Sequence, residues 1–355
     1  MKNMFGAKKP VIGLDIGASS VKVVQLQQSK KGTELKAFGM LPLAPEVIVD
    51  GAIMDAEVVV DSIRQAIKEF KLKGKYAALS VSGHSVIVKK IIVADMSREE
   101  LESAIETEAQ QYIPFDIEDV NVDFQILESE EMLESGEMAI LLVAVKKEKV
   151  EEHLELIRES KLDPIVVDVD AFALENAYEI NYEPELDLVI GLVDIGAGTM
   201  NINILQEGVS SFVRDISIGG DQYTEAIQKE FNVSFEVAER LKRGQIVEGI
   251  AQEDVLAIVN TISDDIAVEI QRSFDFFRAS TMDVPIDKLY LSGGCSLFGG
   301  IDRFFEEKLG VEVEILNPFR NIKVHPKRFD LDYIESISPQ AAVAVGLALR
   351  RLEAQ

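Results

Sequence analysis

A block of four residues, Asp-Ile-Gly-Ala, occurs twice in this chain and constrains its fold more than any other feature. It stands at Asp15–Ala18 and again at Asp194–Ala197, 179 residues later. In each copy an apolar run precedes the block, an alternating run follows it, and a hydroxyl residue takes the same place, Ser20 or Thr199. Each copy therefore predicts two strands joined by a tight glycine turn. Because the offset is about half the chain, we expect two α/β halves of similar topology.

Both turns have the residue types that hold a polyphosphate. Glycine lets backbone N–H groups approach phosphate oxygens because no Cβ is in the way. The carboxylates of Asp15 and Asp194 end their strands, and such oxygens together with water suit Mg²⁺. Lys22, just past the first turn, can reach a phosphate as a point charge. The predicted phosphate-binding residues are Gly17, Ala18, Ser19, Ser20, Lys22, Gly196, Ala197, Gly198 and Thr199.

The same block has a simpler interpretation as an ordinary tight turn, since Asp and Gly are both common turn formers. One copy alone would not decide between a turn and a phosphate loop. Two copies in matching surroundings favour phosphate loops. Our hypothesis is therefore a nucleotide that is held between two related halves of the chain.

Two glycine pairs elsewhere in the chain lie next to predicted helices. One pair follows the apolar strand Lys288–Leu291 and precedes an amphipathic helix, and the other begins a helix that reaches Phe231. Such a pair allows an adenine ring or an α-phosphate to approach the backbone and the helix N-terminus closely. Glycine pairs are also common in plain turns, so they support the site only together with the repeat. They add these residues to the predicted site: Gly219, Gly220, Gly293, Gly294, Cys295 and Ser296.

Composition excludes several classes of function. With 36 basic and 62 acidic residues the net charge is −26, which disfavours a nucleic-acid partner, although backbone N–H groups and a cation can still hold a nucleotide. No apolar run approaches ~18 residues and the start lacks a secretory signal, so we expect an intracellular protein with no membrane-spanning segment. Cys295 is the only cysteine, and the three histidines lie far apart, which excludes a disulfide within the chain and a cysteine-clustered zinc site.

The residues between the two copies include a segment with its own pattern. Ser97 and Glu100 form a capping box that predicts the start of a helix, and Pro114 ends that helix. An acidic turn that contains glycine separates two later strands. This pattern predicts a compact α+β insertion. Its predicted elements are the strands Val86–Val93, Val120–Leu127 and Met138–Val145 and the helices Ser97–Gln111 and Lys146–Lys161.

Together these motifs resemble the actin-like ATPase superfamily, which includes actin, sugar kinases, DnaK-type chaperones and FtsA. DIGASSVK is similar to its first phosphate loop, DIGAGTMNI to its second and LSGGCSLFGGI to its adenosine loop. AERLKR, at residues 238–243, is similar to a helix that contacts the ribose in chaperone-type relatives. The resemblance implies ribose contacts for Glu239 and Lys242, and an ordinary solvated helix face is the alternative.

Within that superfamily the chain resembles the PilM family of type IV pilus assembly over nearly its whole length. The similar segments are MFGAKKPVIGLDIGASSVKVVQL, QQYIPFDIEDVNVDFQIL and AAVAVGLALRR. The insertion is similar to subdomain IC of FtsA and of this family. The resemblance implies an actin-like fold of duplicated halves around a nucleotide cleft. Its subdomains would be IA (10–85, 163–190 and 338–355), IC (86–162), IIA (191–215 and 280–337) and IIB (216–279).

The resemblance also implies a function. It is that of a cytoplasmic scaffold that binds ATP with Mg²⁺, hydrolyses it slowly at most, and changes partner affinity with its nucleotide state. The implied partner is the short cytoplasmic N-terminal peptide of a PilN-type inner-membrane protein, docked between IA and IC, which would keep this protein peripheral to the inner membrane. Tyr112, Pro114 and Phe115 are groove candidates, although a helix stop and core packing explain the same residues.

Two other functions stay open. One is an FtsA-like division protein or filament-forming ATPase that associates with itself. It is disfavoured because FtsA has a membrane-binding helix after a linker, whereas this chain ends at Gln355 directly after its last predicted helix; we therefore expect no direct membrane insertion. The other is a small-molecule kinase, which needs a carboxylate base. Asp168 and Asp170 lie near where relatives position a water, but either could cap the helix that begins at Ala171. GTP stays open as the nucleotide, although the resemblance favours ATP.

Overall fold

The computed structural model describes residues 10–127, 136–183 and 185–350. In chain order its strands are β1 (Val11–Ile16), β2 (Ser20–Ser29), β3 (Gly32–Pro42), β4 (Ile48–Val49), β5 (Ala52–Ile53), β6 (Tyr76–Val81), β7 (Val86–Ala94), β8 (Val120–Leu127), β9 (Glu137–Lys146), β10 (Asp163–Val169), β11 (Ile190–Ile195), β12 (Met200–Gln206), β13 (Val209–Ile216), β14 (Lys288–Ser292), β15 (Glu312–Ile315) and β16 (Ile322–Lys323). Its α-helices are α1 (Ala56–Glu69), α2 (Arg98–Ala109), α3 (Lys147–Glu159), α4 (Asp170–Asn181), α5 (Gly220–Phe231), α6 (Phe235–Lys242), α7 (Gln252–Ser280), α8 (Ile301–Leu309), α9 (Leu331–Ile337) and α10 (Ala342–Leu349). Short 3₁₀ helices span Ile117–Asp119, Gly294–Leu297 and Ser338–Ala341.

Two mixed sheets share one topology over five strands. The first has the order β10-β6-β1-β2-β3-β16, and the second, given in the matching direction, has the order β15-β14-β11-β12-β13. Strand β16 is an additional edge strand of the first sheet. In the first sheet β1 pairs antiparallel with β2 and parallel with β6, and in the second β11 pairs in the same way with β12 and β14. Both repeated blocks therefore end the equivalent strand of their sheets, β1 and β11. The predicted duplication of two α/β halves is confirmed.

Helix α1 covers the first sheet. Asp55 accepts a hydrogen bond from the Val58 N–H and caps the helix, as its place just before the periodic run suggests. Val59 and Ile63 lie one turn apart on the buried face and pack in the same cluster as Ile12 of β1. Burying an aliphatic side chain of this size contributes about 1.5–3 kcal/mol to folding. The sequence predicted this helix at Ala56–Phe70, within one residue of the observed end.

Helix α7 covers the second sheet and is amphipathic along its length. Ile266, Ile270, Phe274 and Phe277 recur at helical spacing and pack in the cluster that contains Val193 of β11. The sequence predicted this helix at Val255–Ala279, and it is three residues longer at its start. Across residues 10–127, 136–183 and 185–350, no helix is both long and apolar enough to cross a membrane.

Helix α10 packs unusually closely on its neighbours because its residues are small. A Cβ added at Gly346 would overlap the carbonyl oxygen of Ala173 in α4, and one added at Gly13 of β1 would overlap the carbonyl oxygen of Ala344. The predicted small-residue helix Pro339–Arg351 is therefore present, as the 3₁₀ turn Ser338–Ala341 followed by α10. Residues 351–355 lie outside the described part of the chain.

The insertion forms a separate layer, with the sheet order β7-β9-β8 and helix α2 packed against it. The predicted capping box is present: Ser97 accepts from the Glu100 N–H, and Glu100 accepts from the Ser97 N–H. The core contains Leu101 and Ile105 from α2 and Leu142 from β9. Residues 128–135, most of the predicted acidic turn, lie outside the described part of the chain.

Helix α3 belongs by its packing to the first sheet rather than to the insertion. Leu156 and Ile157 share a cluster with Ile12 and Val59, not with the core of β7, β8 and β9. Sequence grouped this helix with the insertion because it follows β9 directly. The insertion sheet ends with β9 at Lys146, where α3 begins. The subdomain boundaries, including the end of the insertion at residue 162, stay a prediction.

We expect Gly346→Ala to lower the free energy of unfolding by about 2–3 kcal/mol, because the added methyl group overlaps backbone that cannot rotate away. Urea unfolding followed by circular dichroism measures this. Gly299→Ala is the matched control, since a Cβ there meets no atom within 4 Å. Equal stability of the two variants would contradict the close helix contact.

Candidate functional site

A cavity of about 820 Å³ lies between the two halves, and both repeated turns line it. Asp15 and Gly17 come from the end of β1, and Asp194 and Gly196 come from the end of β11. Two carboxylates and two glycine turns that are far apart in sequence therefore face one space. Most of the other predicted site residues line it as well: Ala18, Ser19, Lys22, Ala197, Gly198, Thr199, Gly220, Glu239, Lys242, Gly293, Gly294 and Cys295. Ser20, Gly219 and Ser296 do not line it.

The two turns have matching backbone geometry. The Gly17 N–H donates to the Ser20 carbonyl at 3.1 Å, and the Gly196 N–H donates to the Thr199 carbonyl at 2.9 Å. Ser20 is buried and its backbone closes the first turn, which explains why its side chain does not line the cavity. In both copies of the repeat a hairpin is therefore closed by a hydrogen bond from the glycine N–H to the carbonyl three residues later.

The carboxylates of the two turns have different partners. The Lys22 ammonium lies 2.8 Å from an oxygen of Asp15, and the Ser292 hydroxyl donates to Asp194 at 2.6 Å. Burial raises the pKa of Asp194 to about 6, and the Ser292 hydrogen bond and the Lys22 charge offset part of this rise. Burial lowers the pKa of Lys22, but the nearby carboxylates, Asp15 first, outweigh it, so the pKa is raised overall. The site holds more negative charge than its neighbouring cation neutralises.

Asp170 is a third carboxylate in the cavity. It is the first residue of α4, and Ser80 and Ser82 hydrogen-bond to it. Burial and then the charge of Asp15 raise the pKa of Asp170 to about 7. Asp168 does not line the cavity; it is bound to Arg350 at 2.5 and 3.0 Å.

The proposed capping role for Asp168 or Asp170 is wrong. The residue before α4 is Val169, and no side chain caps this helix. Asp170 instead directs its carboxylate to two serines from the neighbouring strand end, a contact that sequence spacing does not show.

Glycine is required where the loop after β14 and helix α5 meet the second turn. Gly293 has φ +85°, and a Cβ there would overlap the backbone of Ile195. A Cβ at Gly219 would overlap the carbonyl oxygen of Ala197. The Gly220 N–H donates to the Gly196 carbonyl at 2.9 Å, which fixes the start of α5 on the turn. Gly219 therefore supports the site through packing rather than by lining it.

The residues after Gly293 differ in what they contribute. The Ser296 hydroxyl donates to the Gly293 carbonyl at 2.7 Å and so holds the loop rather than facing the cavity. Burial raises the pKa of the Cys295 thiol to about 12, which makes it an unreactive packing group. A Cβ at Gly294 would meet no atom within 4 Å, so its backbone is open to a ligand.

Glu239 and Lys242 form an ion pair at the cavity wall. The Lys242 ammonium also donates to the Gly220 carbonyl at 3.1 Å and to the Thr224 hydroxyl at 2.7 Å. Their side chains are only 17% and 10% exposed, so they do not lie on a solvated helix face. They stand at the cavity where a sugar hydroxyl could exchange with these hydrogen bonds. Their contact with ribose stays a prediction.

Metal binding by this site needs water as well as protein ligands. Within the described ranges no cluster of three or more His, Cys, Asp or Glu side chains could hold a metal ion. Asp15 and Asp194 fit a cation such as Mg²⁺, which keeps several waters and takes one or two carboxylates. Sequence reasoning missed Asn201 and Asp221, which also line the cavity. The repeat could have indicated Asn201, since it stands opposite Asp194 as Lys22 stands opposite Asp15.

A second, smaller pocket of about 190 Å³ lies where the insertion meets helix α4 of the first half and strand β13 of the second. Tyr112 and Phe115 do not line it; they pack on the insertion core, with the ammonium groups of Lys89 and Lys146 over their rings at 5.2 and 4.5 Å. Pro114 is exposed beside them. The pocket is instead lined by residues such as Gln125, Leu127, Phe172, Glu175, Asn176 and Arg350.

Known proteins share this architecture. The PilM–PilN type IV pilus biogenesis complex contains a chain that is 31% identical, with a TM-score of 0.86 over 97% of this chain and 99% of that one. MreB5 of Spiroplasma citri bound to ADP is 14% identical, with a TM-score of 0.52 over 95% and 94%, which shows the fold alone. The cell division protein FtsA of Pseudomonas aeruginosa is 26% identical over 254 residues, which make up 66% of this chain but only 60% of FtsA.

These likenesses confirm the predicted actin-like fold. The family model described as type IV pilus assembly protein PilM matches residues 13–352. Because that match extends over nearly the whole chain, the protein belongs to the PilM family of type IV pilus assembly proteins.

Proposed function

We propose that this protein is an ATP- and Mg²⁺-binding scaffold of type IV pilus assembly that docks the cytoplasmic N-terminal peptide of a PilN-type inner-membrane protein. The observation that carries the nucleotide part is the meeting of two equivalent turns, each with a carboxylate, in one cavity of about 820 Å³. Through this partner the protein is held at the inner membrane from the cytoplasm. Its hydrolysis of ATP is slow at most.

In this proposal the backbone N–H groups of the two turns and Lys22 hold the phosphates, and Asp15 and Asp194 orient a hydrated Mg²⁺. Bound Mg²⁺ neutralises phosphate charge. Gly293 and Gly294 give the adenine close access to the backbone. Asp170 is the carboxylate suited to accept a proton from a water, because a pKa of about 7 lies near the pH of the cytoplasm.

Support for the partner comes from the 31% identical chain, which was solved with PilN. The 190 Å³ pocket between the insertion, α4 and β13 is where we place the peptide, in preference to Tyr112, Pro114 and Phe115. The side-chain amide nitrogen of Asn176, which lines this pocket, is buried and has no hydrogen-bond partner, so a peptide carbonyl there would satisfy it.

We expect Asp15→Ala and Asp194→Ala each to weaken ATP binding in the presence of Mg²⁺ by about 100-fold or more, since even groups that only support a metal ligand are worth roughly 10–100-fold. Calorimetric titration with and without Mg²⁺ measures this. Asp61→Ala, at an exposed carboxylate of α1, is the control and should bind as the wild type does. Undiminished affinity in both cleft variants would refute the metal assignment.

We expect Asp194→Asn to raise the free energy of unfolding by about 1–3 kcal/mol near pH 7.5 when no nucleotide or Mg²⁺ is present. Folding raises the pKa of Asp194 from 3.8 to about 6. The contribution of this carboxyl group to the stability of the folded protein is therefore present at low pH and is lost as pH rises through this window. The asparagine keeps the oxygen that accepts from Ser292 and has no charge to bury.

Urea unfolding of the wild type and Asp194→Asn at pH values on either side of this window checks the sign. The gain should shrink towards pH 4, where the wild-type carboxyl is protonated in the folded protein. A variant that is less stable than the wild type near pH 7.5 would show that the ionised carboxylate stabilises the fold, contrary to its buried, cation-poor surroundings.

We expect Gln125→Trp to weaken binding of the PilN-type N-terminal peptide by about tenfold or more, because the indole would fill the mouth of the pocket. Fluorescence anisotropy with a labelled peptide measures this. Asp123→Trp is the matched control, since Asp123 lies two residues away on the same exposed face of β8 but does not line the pocket. Equal affinities for both variants would place the peptide elsewhere.

A further inference from the structure

Three polar side chains form a row across the second sheet. Asp194 of β11 stands directly opposite Asn201 of β12, and Asn201 stands directly opposite Asp215 of β13. Residues directly opposite in antiparallel strands have side chains on the same face of the sheet. The row therefore runs from a predicted metal ligand in the cavity to Asp215, which does not line the cavity.

Asp215 joins the two halves of the molecule. One carboxylate oxygen accepts a hydrogen bond from the side-chain amide of Asn201 at 2.7 Å, and the other accepts from the backbone N–H of Gly83 at 2.6 Å. A second contact supports this junction, since the ring of His84 lies 3.2 Å from the Ser217 hydroxyl. The second half thus holds the backbone just after β6 of the first half.

Gly83 lies in the crossover that leads from the first sheet into the insertion. Its φ of +87° and the bond from the Val86 N–H to its carbonyl, 2.9 Å, make a tight turn between β6 and β7. The Lys146 N–H donates to the Ser85 carbonyl at 3.0 Å, which ties the end of the insertion to its beginning. A shift of Gly83 would therefore move both connections of the insertion together.

The same crossover touches the cavity from the other side. Ser80 and Ser82 hydrogen-bond to Asp170, which lines the cavity next to Asp15. Two carboxylates thus hold three of the four residues 80–83: Asp170 of the first half holds Ser80 and Ser82, and Asp215 of the second holds Gly83. Because each carboxylate belongs to a different half, a change in cleft closure would move Asp170 and Asp215 relative to each other and so alter their hydrogen bonds to this crossover.

The equivalent row in the first half shows that the topology does not require Asp215. There Asp15 stands opposite Lys22, and Lys22 stands opposite Met40, which has no carboxylate and lines the cavity. The two rows therefore differ at the third strand, where only the second has a group that can accept a hydrogen bond from the opposite half.

We propose that Asp215 is a positioning residue that couples occupancy of the nucleotide cleft to the position of the insertion, through the bridge Asn201–Asp215–Gly83. This inference rests on the proposed function, since it assumes that ATP with Mg²⁺ fills the cavity and that the insertion helps to bind the partner. Coupling of this kind needs an element whose contacts differ between two states, and we assign that role to the crossover at residues 80–83 because it bonds to both halves.

Amide hydrogen exchange tests the bridge on the full chain, with and without ATP and Mg²⁺ at saturation. In the wild type we expect nucleotide to slow exchange in the segments 82–90 and 138–147 by about fivefold or more. Asp215→Ala should lose this response. Asp215→Asn should keep it, because its oxygen can accept from Gly83 and its amide can donate to Asn201 after a flip of the Asn201 amide.

Gln25→Ala is the control for general loosening. Gln25 is buried and bonds twice to the backbone of Lys73, but both residues belong to the first half. This variant should keep the nucleotide response. A full response in Asp215→Ala, or an equal loss in Gln25→Ala or Asp215→Asn, would overturn the proposal.

Titration of ATP in the same samples separates this inference from the proposed function. If the wild type bound no ATP, the nucleotide proposal would fall, and exchange without nucleotide would decide the bridge alone. In that comparison Asp215→Ala should speed exchange in the segment 82–90 by about fivefold, the worth of one lost hydrogen bond. Unchanged exchange there would overturn the positioning role as well.

Discussion

The concentration of carboxylates in the cleft is the constraint on which the rest of this structure depends. Asp15, Asp170 and Asp194 line one cavity, and Lys22 contacts only the first of them directly. Burial of charge is unfavourable unless a partner compensates it, which is why the pKa values of Asp170 and Asp194 are raised. A hydrated divalent cation with a polyphosphate would compensate this charge. The buried carboxylates therefore lower the stability of the free protein, and ligand binding would restore it.

Close backbone approach is what allows the fold to assemble this cleft. Gly293 and Gly219 let the loop after β14 and helix α5 touch the second turn, and Gly13 and Gly346 let α10 pack against β1 and α4. A side chain at any of these positions would push apart elements whose ends carry the cleft residues. The glycines around the site therefore act in two ways. Gly294 leaves its backbone accessible to a ligand, whereas the other four allow neighbouring elements to pack closely.

How far the sequence predicted this molecule depended on whether a feature was local. The repeat predicted the duplicated halves, the two turns and their carboxylates, and the capping box predicted the start of α2, because each is a short pattern in consecutive residues. The sequence did not predict strands β3 and β15. Gly39 and Glu312 weaken their strand patterns, and the two strands are recognised only from their pairing with neighbours in the sheet. Asp170 and Asp215 were not assigned because their partners, Ser80, Ser82 and Gly83, lie about 90 to 130 residues away, and no spacing rule joins them.

The cleft and the smaller pocket are joined by rigid elements as well as by the crossover. Helix α4 begins with Asp170 in the cleft, and one and a half turns later Glu175 lines the pocket. Strand β13 begins at the pocket with Val209 and Ser210 and continues to Asp215. Ser210 donates to Glu175 at 2.5 Å, so the two elements are bonded to each other where they reach the pocket. A ligand in the pocket contacts both elements, whereas a ligand in the cleft reaches α4 at Asp170 and β13 only through the bond between Ser210 and Glu175. Because coupling free energy is reciprocal, any factor by which nucleotide changes peptide affinity is also the factor by which the peptide changes nucleotide affinity.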